Sequence, residues 1–143
     1  MPTSPPDAPW RVVYFKRDRR DDPAETRPGR AFLAACPKNV ATRLVAFLDA
    51  VKDAPPPQFS GGGIWEAMHD DMSGYYEVRT RARKQLYRVF CVLEHKCPGL
   101  PADSIVVITG MVKENATAFR PADYAAVRAL GDEYRARSPR SVV

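Results

Sequence analysis

The sequence predicts an α+β domain: a small, twisted, mainly antiparallel sheet with two N-terminal helices and a C-terminal helix. Three observations carry this expectation. Residues 10–15 alternate and are β-rich, so they read as an opening strand. Two helical segments follow, and the second aligns Val40, Leu44, Phe47, Leu48 and Val51 in one apolar stripe. Strand patterns then crowd residues 64–113 before a last helical segment. Strands gathered in a run, rather than alternating with helices, favour an antiparallel sheet with helices segregated to one face. The other face is then expected to stay open to solvent or a ligand.

The elements follow in order. Residues 1–9 are rich in proline and are expected to be disordered. Residues 16–28 are charged and turn-prone. A short helix over 30–36 ends at Pro37, because a residue before proline leaves the helical region. The clearer helix spans 39–52 and stops at three prolines, after which Ser60 to Gly63 reads as a flexible loop. Residues 64–69 form a second strand with Trp65 and Met68 as apolar surface, and 70–74 a turn. Strands over 75–81 and 86–93 come next, the latter apolar except for Tyr87 and Arg88. Residues 94–103 carry two prolines and a glycine and form a long loop. The fifth strand, 104–113, contains an Ile-Val-Val-Ile run that suits a central buried position. The last helix, 121–137, starts at Pro121 and places Tyr124, Val127, Leu130 and Tyr134 on one side. Residues 138–143 are expected to fray, leaving one domain over 10–137. There is no internal repeat.

A chain of 143 residues suits one domain with a real core. Hydrophobic residues make up 45%, which argues against wholesale disorder. The formal charge of +5 favours an acidic partner, without choosing between nucleic acid and an acidic protein. No apolar run approaches a membrane span. The first residues lack the basic and apolar regions of a signal peptide, so a cytoplasmic location is the default. Three cysteines, Cys36, Cys91 and Cys97, fit a reducing compartment better than a disulfide framework. The spacing of Cys91, His95 and Cys97 matches no common zinc pattern, so no metal site and no cofactor are expected. Cys36 lies on an apolar helical face and reads as a small core residue.

The segment GYYEVRTRARKQLYRVF, residues 74–90, concentrates Arg79, Arg81, Arg83, Lys84 and Arg88 on two strands and their turn. Clustered arginines on a sheet make a phosphate-binding surface. The same charges also serve solubility and edge protection on exposed hairpins. Strand alternation puts Glu77, Arg79 and Arg81 on one face, and Arg88 with Leu86 and Phe90. A half-buried Arg88 needs a carboxylate or a phosphate to offset its desolvation. Two readings therefore stand: a phosphate site, or a Glu77–Arg88 pair bracing the sheet. Lys113 likewise reads as a site cation or as a solvated strand-end charge.

Element order and three motifs together resemble the RelE/HigB toxin superfamily, with phage-derived HigB-type toxins of type II toxin–antitoxin systems as the nearest branch. The motifs are GYYEVR at 74–79, YRVF at 87–90 and IVVITGMVK at 105–113, completed by the terminal helix. The resemblance covers residues 10–137. It implies a ribosome-dependent mRNA endoribonuclease that uses no metal, in which the RNA 2′-hydroxyl attacks the adjacent phosphate. Catalysis then needs oriented RNA, stabilised phosphorane charge and two proton transfers. By motif, Arg79, Arg88 and Lys113 take the catalytic basic positions. Arg81, Arg83, Lys84 and Lys96 are expected to bind RNA. His95 is a catalytic candidate as the natural proton shuttle near neutral pH, ahead of His69. Tyr124 could stack a base or orient a phosphate, although its helical register favours the core. The sequence departs from the family pattern at Glu77, where a relative has lysine, at Glu114 and Asn115 after Lys113, and in the long loop at 94–103. Expected partners are mRNA on the ribosome and a cognate antitoxin, a small helix-turn-helix protein, with no membrane. The rival readings are a gyrase-poisoning toxin of the ParE branch and a non-catalytic phage-derived protein of this fold that binds RNA or an antitoxin.

Overall fold

A computed structural model describes residues 10–54, 56, 63–114 and 118–143. The expected disorder of residues 1–9, the loop at 60–62, the prolines at 55 and 57, and the departure at Asn115 all lie outside the described residues.

The chain runs β1 (Arg11–Tyr14), α1 (Pro28–Ala35), α2 (Lys38–Lys52), β2 (Trp65–Ala67), a 3₁₀ turn (Asp70–Met72), β3 (Tyr75–Ala82), β4 (Gln85–Glu94), β5 (Ser104–Glu114) and α3 (Pro121–Arg135). The α+β class and every element expected from the sequence are present, with ends shifted by one or two residues. The sheet order is β1-β5-β4-β3-β2. β1 pairs parallel to β5, and the other three pairings are antiparallel. β5 is thus flanked on both sides, which explains why Ile105, Val106, Val107 and Ile108 are all fully buried.

Local chemistry sets the element ends. Pro28 opens α1, and Cys36, extended before Pro37, closes it. Along α2 the buried residues are Val40, Leu44, Leu48 and Val51, spaced to face the sheet. α3 opens at Pro121, where the Asp123 carboxylate accepts the Arg120 N–H at 2.7 Å. The β3–β4 hairpin turns on Arg83 and Lys84 alone, with φ of 49° and 66°. A two-residue turn of this handedness matches the strand twist and fixes the register.

One expectation is corrected. The three helices do not share a face. α1 and α2 cover one face over Leu33, Val40, Leu44, Val78, Val89 and Val107. α3 lies on the opposite face, over Tyr75, Phe90, Val92, Val106 and Ile108, through Val127 and Tyr134. A β-bulge makes this second layer possible. Phe90 pairs with Thr109 but Cys91 with Val107, so Ile108 is an extra residue on β5. The extra residue lets Ile108 and Met111, three apart, both join the α3 layer. Close approach of α3 also needs Gly131, since a Cβ there would overlap the Tyr75 hydroxyl.

A second correction concerns the tail. Residues 138–143 do not fray along their whole length. Val143 and Tyr14 exchange backbone hydrogen bonds at 2.8 and 2.9 Å, and Val142 bridges to Phe15. This covers the outer edge of β1. Among the described residues no helix is long and apolar enough to cross a membrane.

Candidate functional site

α3 covers only part of its face. Beyond its first turn, the sheet toward the β3–β4 hairpin carries charge instead of apolar packing. The register places Arg79 directly opposite Arg88. Like charges in that position repel across the ladder. Glu77, one pleat away on the same face, resolves the conflict. Arg88 Nη1 donates to Glu77 Oε2 at 3.2 Å, and Arg79 Nη1 donates to Glu77 Oε1 at 3.4 Å. Glu77 is 5% exposed, a buried carboxylate between two guanidinium groups. Burial pushes its carboxyl above the usual range, and Arg88 partly offsets the rise. Burial also lowers Arg79, reinforced by the repulsion of Arg88 and Arg81.

Arg79 has further anchors. Its Nε donates to the Gly63 carbonyl at 2.8 Å, and its Nη2 pairs with Glu66 on β2. Arg88 is held differently. Its Nη1 also donates to the Tyr124 hydroxyl at 3.2 Å, and its guanidinium lies 4.7 Å from the centre of the Phe119 ring. Phe90, Phe119 and Tyr124 pack edge-on or tilted against one another beside it. The Arg88 Nε is buried and has no hydrogen-bond partner among the described residues.

A cavity of about 320 Å³ opens over this arrangement, lined by Gly63, Arg79, Thr80, Arg81, Leu86 and Arg88. Three of the six lining residues are arginines, so an anion is the complementary guest. Lys113 lies on the same face but its Nζ sits 3.3 Å from Asp123 Oδ2. The Arg120 backbone N–H, together with Lys113 and the Arg120 side chain, holds the Asp123 carboxyl below its usual range despite some desolvation. Lys113 is thus a cation tied to the start of α3.

The structure brings together Arg79, Arg81 and Arg88, while Lys113 is paired with Asp123 and does not line the cavity. Arg83 and Lys84 are exposed at the hairpin tip. His95 and Lys96 are elsewhere. His95 follows the far end of β4, seven residues and roughly 23 Å of extended strand from Arg88. Its Nδ1 lies 2.8 Å from Asp103 Oδ2, and its ring stacks on Trp10. The Lys96 backbone N–H donates to Asp103 Oδ1 at 2.8 Å. His95 therefore cannot serve Arg88 as a proton shuttle, and Lys96 does not extend the arginine cavity. His69 is exposed beside the 3₁₀ turn. Cys91 is fully buried, with its thiol pushed up by burial. Among the described residues no three His, Cys, Asp or Glu side chains converge as a metal would require.

Sequence reasoning assigned no role to Phe119 or Glu66, and it favoured the core for Tyr124 over a role in stacking a base or orienting a phosphate. Tyr124 does contact the core through its ring, yet its hydroxyl reaches Arg88. The signal for Glu77 was present: a single carboxylate at strand spacing from Arg79. Phe119 had no signal, because its partner lies 31 positions earlier in the chain, on the facing sheet surface. No family model matches the chain, and no curated protein or solved structure matches it significantly.

Proposed function

We propose that this protein is the toxin of a type II toxin–antitoxin pair, a ribosome-dependent endoribonuclease that cleaves mRNA without a metal. The observation that carries the reading is Arg88. Its Nε is buried with no partner among the described residues, and the Arg88 side chain lines a cavity framed by two further arginines. Buried unsatisfied donors are rare in native proteins and point to a partner that binds there. A phosphodiester supplies the acceptor oxygens that this fork needs.

The chemistry follows from the groups present. The RNA 2′-oxygen forms a bond to the adjacent phosphorus, and the bond to the 5′-oxygen breaks, leaving a cyclic phosphate. Arg79 and Arg88 stabilise charge on the phosphorane, and Arg81 steers the strand. Glu77 is the carboxylate that meets both arginines, and its raised pKa suits it to accept the 2′-hydroxyl proton. The leaving 5′-oxygen takes its proton from solvent. Tyr124 fixes the Arg88 plane. An acidic antitoxin would neutralise the protein by covering these same cations.

One observation favours a second reading. Glu77 already engages both Arg79 and Arg88, as a brace in a non-catalytic binding module would. Induced expression with mapping of mRNA ends separates the two. The nuclease yields translation-dependent cuts ending in 2′,3′-cyclic phosphate, abolished by Arg88→Ala. Growth arrest without such ends supports the binding module and sinks the nuclease.

A further inference from the structure

Two grooves lie beside the segment that joins β1 to α1, and they share Lys16 and Glu25. One, of about 540 Å³, is lined by Lys16, Asp18, Arg19, Arg20, Glu25 and Ser141. The other, of about 590 Å³, adds Arg27 and Arg30 with Ala24, Ala31 and Ala34. Together they form a trough that sets five cations against two carboxylates. Both carboxylates are already engaged: Lys16 pairs with Glu25 at 3.5 Å, and Arg20 Nε meets Asp18 Oδ1 at 2.8 Å. Arg19, Arg27 and Arg30 are exposed and have no carboxylate partner among the described residues. The Arg30 guanidinium lies 3.9 Å from the centre of the Tyr14 ring. Stacking uses the face of a guanidinium and leaves its N–H edge for hydrogen bonds. The segment that presents these charges is braced. Arg17 donates to Glu133 at 2.9 and 2.8 Å, and Arg137 to Asp21 at 2.9 and 2.7 Å. Asp22 accepts the Ala24 and Thr26 N–H groups at 3.0 Å each. Arg17 and Arg137 thus have structural work, which Arg19, Arg27 and Arg30 lack, and the bracing holds like charges together before a partner arrives.

We infer that this trough is a second RNA-contact surface, in which Arg19, Arg27 and Arg30 dock the sugar-phosphate backbone of RNA apart from the arginine cavity. That the backbone is RNA rests on the nuclease reading, whereas the phosphate chemistry rests on the trough itself. Composition decides against an acidic protein as the guest. A protein interface is anchored by buried aromatic side chains as well as arginines. Among the described residues the trough's lining has no apolar side chain larger than alanine. A nucleic-acid interface is instead polar and strongly positive, and planar guanidinium forks match phosphate oxygens. Position separates the trough from the cavity. Tyr14, beneath Arg30, pairs with Val107, and Arg88 pairs with Met111, roughly 13 Å further along β5. β1 and β4 also stand two strand spacings apart, roughly 10 Å. One phosphate cannot touch both, so the trough adds contacts to other nucleotides rather than completing the cavity.

The test measures binding of a fluorescent RNA duplex to the full chain by anisotropy over a range of salt concentrations, a readout that needs no cleavage. Arg19→Gln, Arg27→Gln and Arg30→Gln together should lower the slope of log affinity against log salt by about 2 to 3, with about 1 from Arg19→Gln alone. All three positions are exposed, and circular dichroism checks the fold. Arg88→Ala should leave most of this affinity and slope in place. An unchanged slope in the folded triple variant, or in Arg19→Gln, would overturn the surface. Polyglutamate that binds as tightly as RNA and loses as much affinity in the triple variant would overturn it in favour of an acidic protein. A DNA duplex bound more tightly than the RNA would overturn the assignment to RNA. A trough-dependent slope in a protein that cuts no RNA supports the surface and overturns the nuclease reading instead.

Discussion

Two clusters on the α3 face use the same three residue types to opposite ends. Toward the hairpin, Glu77 meets Arg88 and, through that arginine, Tyr124. Toward the other end of β4, Glu94 Oε2 accepts from the Tyr134 hydroxyl at 2.8 Å and from Arg140 Nε at 3.1 Å. The second cluster is complete. Arg140 Nη1 is also taken up by the Arg135 and Arg137 carbonyls, at 2.9 and 3.0 Å. Burial works against the Glu94 charge, but hydrogen bonds from Tyr134 and Arg140 outweigh it and hold the carboxyl below its usual range. The first cluster is incomplete. Burial dominates at Glu77 and raises its carboxyl, and the Arg88 Nε has no partner among the described residues. A satisfied Glu–Arg–Tyr set clamps the tail and the end of α3, whereas an unsatisfied one beside a cavity is prepared for a ligand.

The largest effect should come from cutting the arginine in each cluster. Arg88→Ala should lower RNA cleavage about 10²–10³-fold. Arg140→Ala should leave the rate of folded protein unchanged while loosening the tail. Single-turnover cleavage beside circular dichroism decides this, with Arg88→Lys as a variant that keeps the charge but not the planar fork. A folded Arg88→Ala protein as active as the parent would erase the distinction between the clusters.

The carboxylates should differ next. Glu94→Gln should cost roughly 2 kcal/mol at neutral pH, since it weakens charged hydrogen bonds at a side chain only 17% exposed. The pH dependences should run in opposite directions. The Glu94 pKa is depressed in the fold, so its stabilisation is present above the ordinary value of 4.5 and is lost as pH falls through the folded value. The Glu77 pKa is raised, so its contribution is fullest below 4.5 and declines as pH rises through the folded value. Urea unfolding of wild type, Glu94→Gln and Glu77→Gln between acid and neutral pH should show the advantage of Glu94 growing with pH and that of Glu77 shrinking. Parallel profiles would mean that the two environments are equivalent.

Smaller effects should follow at the tyrosines. Tyr134→Phe should cost about 1 kcal/mol, because it removes a direct donor to Glu94. Tyr124→Phe should change stability less and cleavage more. Smallest in stability is the hairpin tip. Neutralising Arg81, Arg83 and Lys84 should stay within about 0.5 kcal/mol. The same triple variant should flatten the salt dependence of ribosome binding, since each phosphate contact adds to that slope. An unchanged slope would mark these as solvated charges.

The site was partly legible before folding. Arg88 stood out because arginine is costly on a half-buried strand face unless a partner awaits it, whereas Arg79 was marked by its place in the GYYEVR motif. Glu77 was visible as the alternative partner. His95 misled because its chemistry was right and its distance was not, and strand rise alone separates it from Arg88. Phe119 gave no sign, since its value lies in where a loop before α3 passes over the sheet.

Local rules fixed the elements themselves. Prolines at 28, 37 and 121 mark helix ends, the α2 stripe faces the sheet, and the two-residue turn at Arg83 and Lys84 sets Arg79 opposite Arg88. Each depends on backbone preferences and side-chain alternation within a few residues. Only the tertiary structure decided which face α3 would cover, how far it would reach, and where the tail would pair. Those outcomes depend on burial summed over distant strands, on the bulge at Ile108 and on Gly131 admitting Tyr75. Because α3 stops short of the hairpin, the uncovered strand surface keeps its arginines, and the same face becomes core at one end and cavity at the other.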